Sequence, residues 1–540
     1  MLKKSIAPIL LIAFGFNMAW SQTPTYADSI AHIIYDNCSQ CHHAGSIAPF
    51  SLMSYTDTYN YRNLIASKTA AREMPPWSPN PNYKQYVHER LLTQNEIDGI
   101  AAWVAGGAPQ GNVANEPAPP VFNSTAILGH GDLKVTMPAY ASKATAGNDD
   151  YVCFSVPTGL AQGRTLKAIE VVPGNSQIVH HVLVYTDPSG SYPTDTVGGD
   201  CAGPGGFGTE KLLAGFAPGG SPIVFPDDGN NIKMGVSIAA GSNIILAMHY
   251  PEGSAGTIDS TSVHLHFYPP GTTGVREVSS NPILAKQGFC ISPNTVQTLE
   301  EWFPSQTQAL PVNFSLLSIF PHAHLLGKEF LVYGIQNTTL PYDTIPLIHI
   351  PEWDFEWQDF YFFKKVLKMP AGYKLYAKVT YDNTTNNPYN PNNPPLTVCE
   401  GLNTSDEMFL IYFQYLNYQT GDENIDLDSL LNLNLGGTPT GVRPVSMIDN
   451  GLFLTAYPNP TSGSTTFEYY TDKPTDVSLN IYDVRGSLVK QLVSNKQAKG
   501  RYKLQWDGTS SSNEELANGV YITKLKVGNR ITNKKIVLSR

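Results

Sequence analysis

Charge is scarce in this chain. Asp, Glu, Lys and Arg make up 15% of its 540 residues, against about 25% in a typical soluble domain. The 35 Lys and Arg against 45 Asp and Glu leave a formal net charge of −10. No basic block stands out, which excludes nucleic acid as a general partner. Past the N-terminus no stretch reaches the ~18 uninterrupted apolar residues of a spanning helix, which excludes a multi-span membrane protein. What is abundant points elsewhere. With 45 Gly and 41 Pro, these two residue types exceed their usual share of about 12%. Together with 29 Tyr they describe short strands and many turns, not a coiled coil. A hydrophobic content of 41% is enough for packed cores rather than disorder. The length predicts three or four domains at roughly 150 residues each.

The N-terminus sets the compartment. Lys3 and Lys4 precede an apolar run from Ile6 to about Trp20, and Ala19-Trp20-Ser21 is a small-x-small site. This is the layout of a secretory signal peptide over 1–21, too short and wrongly flanked for a membrane anchor. Export leads to an oxidising environment where disulfides persist.

Two of the six cysteines lie in Cys38-Ser39-Gln40-Cys41-His42. Thiols three apart with His next to them suit a covalent c-type haem, with Cys38 and Cys41 as thioethers and His42 on the iron. A redox-active CxxC is the other reading of the spacing. Ile30, Ile33 and Ile34 recur at helical spacing before the motif. Thr93-Gln94-Asn95-Glu96 reads as a capping box. It would open a helix with Ile97, Ile100, Ala101 and Val104 on one face, ending at Gly106-Gly107. Met74, before the stiff Pro75-Pro76-Trp77, is the favoured sixth ligand. Met53, His43, His88 or an open iron are the alternatives. Residues 23–112 resemble a small class I-like cytochrome c domain, and 113–122 read as an extended linker.

Cys153, Cys201, Cys290 and Cys399 remain. An even count in an exported chain suggests two disulfides, for which three connectivities exist. If the region holds two successive sandwiches, Cys153–Cys201 and Cys290–Cys399 are the simplest pairs. Free buried thiols are the alternative.

Five of the 13 histidines fall in strand-like contexts. His180 and His181 lie in Ile178-Val179-His180-His181-Val182-Leu183-Val184, and His249 in Ile244-Ile245-Leu246-Ala247-Met248-His249-Tyr250. His322 and His324 lie in Phe320-Pro321-His322-Ala323-His324. On a strand, His-x-His puts both rings on one face, as a chelate requires. Adjacent histidines point to opposite faces, so His180 and His181 share a metal only if the strand twists or bulges. Met408, after Asp406-Glu407, adds a thioether. His264-Leu265-His266 is a second His-x-His without other support, expected to pack or to act behind a ligand.

This constellation resembles the copper type II, ascorbate-dependent monooxygenases, relatives of the peptidylglycine α-hydroxylating and dopamine β-monooxygenases. The resemblance covers about 123–430. It implies two β-sandwich (jelly-roll) subdomains, 123–272 and 273–430, with one copper each, facing across a wet cleft. It implies a three-imidazole copper on His180, His181 and His249 that transfers electrons. It implies a softer copper on His322, His324 and Met408 that binds O2 and abstracts hydrogen from a C–H bond. The chain departs from the peptide-amidating members at Phe320 and Leu410, where they carry Arg and Asn, and retains Tyr412. A peptide carboxylate is therefore a poor substrate, and an uncharged or aromatic molecule is the better expectation. The resemblance thus predicts a copper monooxygenase acting on a small organic substrate with O2. Catalytic roles fall on Met408, His322, His324 and Tyr412, and the donor would be ascorbate-like, a redox protein or the chain's own haem. A non-catalytic copper and haem surface protein for binding or extracellular electron transfer is the rival expectation.

The last stretch carries Tyr457-Pro458-Asn459-Pro460, Ile481-Tyr482-Asp483-Val484-Arg485-Gly486, Trp506-Asp507-Gly508 and Asn518-Gly519-Val520-Tyr521. After a linker at 431–452, residues 453–540 resemble the type A sorting domain of the type IX secretion system. A small immunoglobulin-like adhesion module is the other reading. The resemblance implies a Gram-negative cell, passage through the periplasm, and a final place on the surface or outside. The expected fold is mainly β and multidomain: a helical haem domain, two jelly-roll sandwiches and a small C-terminal sandwich.

Overall fold

The computed structural model describes residues 23–122, 126–146, 148–198, 201, 203–204, 208–336, 343–434, 454–457, 461, 463–471, 473–483, 487–498, 500–512, 514–528 and 530–539. The expected signal peptide, 1–21, lies outside them, as does most of the expected linker 431–452. No helix among the described residues is long and apolar enough to cross a membrane. The fold is mainly β, in two compact units, Met1–Arg443 and Pro444–Arg540.

The helices gather near the N-terminus: a π-helical turn Tyr26–Ile30 continuing as Ala31–Asn37, then Tyr55–Ala70 and Gln94–Ala105. The capping box forms as expected. Thr93 Oγ1 accepts from Glu96 N, and Glu96 Oε2 accepts from Thr93 N at 2.8 Å. The buried face of that helix is Ile97, Ile100 and Trp103, while Ala101 is exposed. Trp103 takes the place expected of Ala101 because it continues the three-residue spacing of Ile97 and Ile100, and its indole N–H donates to Pro109 O at 3.0 Å. These helices share one apolar cluster with Tyr26, Ile30, Ile34 and Leu52.

Residues 77–90 leave that cluster. Tyr86 and Val87 run along the strand Tyr361–Met369, with Val87 N donating to Phe362 O at 2.8 Å and Tyr86 bridged to Phe363. Asn80 N donates to His349 O at 2.8 Å, Tyr83 Oη to Val332 O at 3.2 Å and Tyr86 Oη to Leu347 O at 2.6 Å. The N-terminal region is thus fastened by aromatic side chains as well as by the chain at 113–122, where Val113–Asn115 forms one 3-10 turn.

Two successive two-sheet sandwiches follow. In the first, one sheet orders Asp150–Pro157, Asn243–Tyr250, His181–Asp187 and Lys211–Phe216. The other orders Leu133–Thr136, Ser262–Phe267, Arg164–Val172, Met234–Ile238 and Arg276–Glu277, with Ile223–Val224 against Arg164–Val172. The second sandwich pairs the sheet Ser279–Ala285, Leu410–Asn417, Phe314–His322, Tyr361–Met369 with the sheet Thr295–Phe303, Lys374–Asn383, Gly327–Ile335, Thr344–Ile350.

The run Phe409–Phe413 shows why the two sandwiches adhere. Phe409, Ile411 and Phe413 fill the second core, while Met408, Leu410 and Tyr412 join the core of the first. Side chains alternate along a strand, so a strand covered on both faces reads as continuously apolar. The disulfides are Cys153–Cys201 and Cys290–Cys399, one in each sandwich. The helix Leu427–Asn434 extends into the expected linker, because Leu427 and Leu431 bury one helical turn apart.

The second unit is a small sandwich. One sheet holds Leu454–Tyr457, Thr465–Thr471 and Gly500–Trp506, and the other holds Leu488–Gln497, Thr475–Tyr482, Gly519–Val527 and Arg530–Leu538. Its core includes Phe467, Leu479, Ile481, Trp506 and Leu525.

Candidate metal centres

His181 opens its strand and stands directly opposite His249 in the antiparallel ladder. Their Nδ1 atoms are 3.2 Å apart. His180 sits one residue before the strand, outside the pleat, with its backbone N–H on His249 O at 3.0 Å. Leaving the ladder lets two adjacent imidazoles turn toward one point without the bulge that a regular strand would need. One ligand atom from each of the three rings lies within 4.8 Å of the others. The far side of His249 is held by Asp149, with Nε2 to Oδ2 at 2.9 Å, and Tyr151 stacks on the ring at 4.2 Å. Glu356 approaches His180 Nε2 at 3.8 Å. Burial holds His181 far below the usual imidazole range and brings His180 down to about 3. His249 is lowered by burial too, against the opposing pull of Asp149. All three are therefore neutral at pH 7, the form a metal ion requires.

The second set lies where the strand Phe314–His322 ends. His322 pairs with Leu410, and His324 follows in the turn, its ring 5.2 Å from that of His322 and nearly perpendicular to it. Each Nδ1 faces an oxygen that only accepts: Gln358 Oε1 at 2.6 Å from His322 and Asp406 O at 3.2 Å from His324. Both Nδ1 atoms must carry the proton, so both Nε2 atoms keep a lone pair. Burial lowers His322 to about 4 and His324 to about 3. Met408 lies two residues before Leu410, hence on the same face and at the same end of the sheet as His322. Glu407 ties this corner together, accepting from the backbone N–H groups of His324, Leu326 and Met408. Burial pushes its carboxyl up to about 8 against those N–H groups.

Both sets fit a metal ion by the same sign. His180 Nδ1 and His324 Nε2 are two of the eleven buried side-chain nitrogen and oxygen atoms among the described residues that have no hydrogen-bond partner. A cation on each lone pair would satisfy these two.

The two sets are not separated by a broad cleft. His181 and His322 line one small pocket with Tyr151, Leu183, Met248, Phe355 and Gln358. The ring of Phe355 stands 6.0 Å from that of His181 and 5.8 Å from that of His324. No charged side chain lines this pocket. Phe320, Leu410 and Tyr412 do not line it either. They are core residues, with Phe320 packed on Phe360 at 4.8 Å and the Tyr412 hydroxyl hydrogen-bonded to Tyr185 of the first sandwich. Tyr412 thus joins the sandwiches instead of facing the imidazoles, and these three positions carry no hint of the substrate. Phe355, Glu356, Gln358 and Asp149 were not picked out from sequence. Trp353-Asp354-Phe355-Glu356-Trp357-Gln358-Asp359-Phe360 is unusually aromatic, the one signal that this segment offered. His264 and His266 lie away from both sets, His264 between Ser262 Oγ and Gly129 O.

At the N-terminal motif, Cys38 and Cys41 are free thiols. Burial pushes Cys38 up to about 12 and raises Cys41, with Arg90 partly opposing. A redox CxxC usually carries a lowered thiol pKa, and burial here acts in the opposite direction. His42 Nδ1 donates to Phe50 O at 3.1 Å, which leaves the Nε2 lone pair free. Met74 is 44% exposed, and no described contact joins it to His42. The motif abuts the first sandwich. Cys41 Sγ is 3.5 Å from Pro218 O, and a Cβ on Gly219 would meet that sulfur at 3.2 Å. Arg90 bonds the same carbonyl at 3.3 Å and lies over the Trp357 ring at 4.6 Å.

Residues 285–429 match the family model of the copper type II ascorbate-dependent monooxygenase, C-terminal domain. Residues 458–530 match the FlgD Ig-like domain. No curated protein matches. Among solved structures, PorZ of Porphyromonas gingivalis, an essential bacterial surface component of the type-IX secretion system, is 19% identical, with 24% of this chain and 14% of that chain covered at a TM-score of 0.14. Dimeric latent PorU from the same organism is 12% identical, with 72% and 34% covered at a TM-score of 0.15. The chain thus spans well under half the length of either, and neither likeness bears on fold or function. Residues 285–429, the sandwich that holds His322, His324 and Met408, are similar to the C-terminal domain of a copper monooxygenase.

Proposed function

We propose that this chain is an exported copper-dependent monooxygenase that hydroxylates a C–H bond of a small organic substrate with O2. One observation carries the reading: two buried sets of neutral imidazoles, each with an orphaned ring nitrogen, border one uncharged pocket. His180, His181 and His249 would hold one copper ion, and His322, His324 and Met408 a second. Three imidazoles suit copper as an electron-transfer site, and the thioether softens the second set toward Cu(I). Bound copper supplies one-electron chemistry with O2, which no side chain here offers. The chain's own residues orient and enclose. Asp149 aims His249, Gln358 and the Asp406 carbonyl aim His322 and His324, and Glu407 pins the turn that joins His324 to Met408. Leu183, Met248 and Phe355 keep water from the pocket and leave no charge for a carboxylate substrate to pair with.

One haem c on Cys38 and Cys41, with His42 as ligand, is supported by two thiols free of any disulfide and by an imidazole whose Nδ1 is already bonded, leaving Nε2 for the iron. Met74 would have to leave its exposed position to serve as the sixth ligand. An ascorbate-like compound, a redox protein or that haem would supply the electrons. Residues 453–540 would address the chain to the type IX machinery, and so to the surface or exterior of a Gram-negative cell. The Ig-like match over 458–530 supports a small β-sandwich there.

The test is ascorbate-driven O2 uptake by the copper-loaded chain with a panel of uncharged substrates. Two coppers per chain, and uptake lost in Met408→Ala with copper still on the three-histidine set, are expected. Two bound coppers without uptake under any donor would favour a non-catalytic surface protein and overturn the enzyme reading.

A further inference from the structure

The two histidine sets differ in what stands behind them. Behind the first are carboxylates. Asp149 Oδ2 accepts from His249 Nε2 at 2.9 Å, while its Oδ1 is fixed by Glu252 N at 2.8 Å. Glu356 lies 3.8 Å from His180 Nε2. Behind the second are neutral dipoles. Gln358 Oε1 accepts from His322 Nδ1 at 2.6 Å, and the Asp406 carbonyl accepts from His324 Nδ1 at 3.2 Å. Gln358 is itself 2% exposed and anchored by its amide N–H on Phe355 O at 2.8 Å. Glu407 is a carboxylate buried beside this set, but its oxygens bond backbone N–H groups and neither ring.

An acceptor on the far nitrogen of an imidazole fixes the tautomer and the ring angle, and a charged acceptor also makes the near nitrogen a stronger donor. A stronger donor favours the more highly charged metal ion. A neutral amide orients the ring without adding that bias. We infer that Asp149 and Gln358 are the positioning residues that set the two sites apart, the carboxylate holding the three-histidine site toward Cu(II) and the amide holding the His-His-Met site toward Cu(I). Both roles rest on the reading of these sets as copper sites. They go beyond it in assigning the difference between the sites to residues that touch no metal. The same short segment that carries Gln358 also carries Phe355 and Glu356, so the backing of both sets is built into one stretch of chain.

The test uses the full chain with copper as the sole added metal. Each substitution is placed in a chain whose other set is emptied, by His322→Ala with His324→Ala or by His180→Ala with His249→Ala, so that one copper reports. The Cu(II) electron paramagnetic resonance signal is followed through a potentiometric titration. Asp149→Asn should shift the Cu(I) to Cu(II) preference about tenfold toward Cu(I), and Gln358→Glu about tenfold toward Cu(II), in line with effects of outer ligand partners. Tenfold is about 59 mV for one electron. Opposite shifts separate this role from a merely structural one, which would loosen both sites alike. Asp149→Glu should restore the wild-type value. Potentials unchanged in both substitutions, or moved in the same direction, overturn the inference. If either substituted chain loses its copper, Asp149→Glu and Gln358→Asn take its place, and a potential that follows neither charge nor reach overturns it equally. A parent chain that binds no copper at either set overturns the function on which it rests.

Discussion

Tyr86 is the most direct point at which to test how the N-terminal region is fastened. Its ring is 1% exposed within the core of the second sandwich, and its hydroxyl donates to Leu347 O at 2.6 Å. Removing a buried aromatic side chain costs about 3–5 kcal/mol. In Tyr86→Ala most of that loss falls on the docked state of residues 77–90, because the helical cluster around Ile30, Ile100 and Trp103 does not include Tyr86. At 1.4 kcal/mol per tenfold, local opening should become roughly 10²- to 10³-fold more frequent. Amide exchange reads this at Val87 N, bonded to Phe362 O, and at Asn80 N, bonded to His349 O. Exchange at Ile97 and Ile100, inside the helix Gln94–Ala105, should stay near its original rate. Tyr86→Phe removes only the hydroxyl bond, worth about 0.5–1.5 kcal/mol, and should accelerate exchange less than about tenfold. Unchanged exchange at Val87 in Tyr86→Ala, with the ring absent, would refute the docking described above.

Other expectations follow from the same geometry. In metal-free protein, His180, His322 and His324 are held below the unfolded value of 6.5, at about 3 to 4. The unfolded chain then binds more protons than the folded one below pH 6.5, so stability should fall as pH drops from about 6.5 toward 4. The loss should be about 3 kcal/mol for each of the three at 1.36 kcal/mol per unit, read by denaturant midpoints, and should shrink once copper is loaded. Breaking Cys153–Cys201 with paired Ala substitutions opens a link across 48 residues of sequence and should cost about 4 kcal/mol by chain entropy. Since Cys201 borders the shared pocket, O2 uptake should fall along with the unfolding midpoint. Thr93→Ala should cost about 0.5–2 kcal/mol, seen as faster exchange in the first turn of Gln94–Ala105, with no change in copper content.

Local signals were legible in the sequence and long-range ones were not. The capping box at Thr93 and Glu96, the alternating strands and the within-sandwich disulfides rest on short spacings or on successive folding of neighbouring segments. They appear as expected. The histidine pairs were visible because His-x-His and His-His are compact patterns, and the structure sets His180 beside His181 and His249 through a strand end that no spacing could announce. Asp149 meets His249 across 100 residues and Gln358 meets His322 across 36, and neither separation leaves a periodic trace. Trp103 replaced Ala101 on the buried helix face because Ile97, Ile100 and Trp103 recur three residues apart, which turns the buried stripe away from Ala101. Tyr412 was expected among the reacting groups. Its hydroxyl instead bonds Tyr185, since the first sandwich covers that face of the strand. The docking of 77–90 was hidden for a similar reason: Trp77, Tyr83 and Tyr86 follow neither a helical nor a strand period.

The strand Leu410–Asn417 has one more consequence. Its two faces belong to two different cores, so neither sandwich can turn away from the other without exposing Leu410 and Tyr412 to water. A molecule that reaches the imidazoles cannot wait for a hinge to open. Its way in has to be made by the loops around the pocket, and Phe355, whose ring stands beside one histidine of each set, is the side chain whose movement would widen the passage.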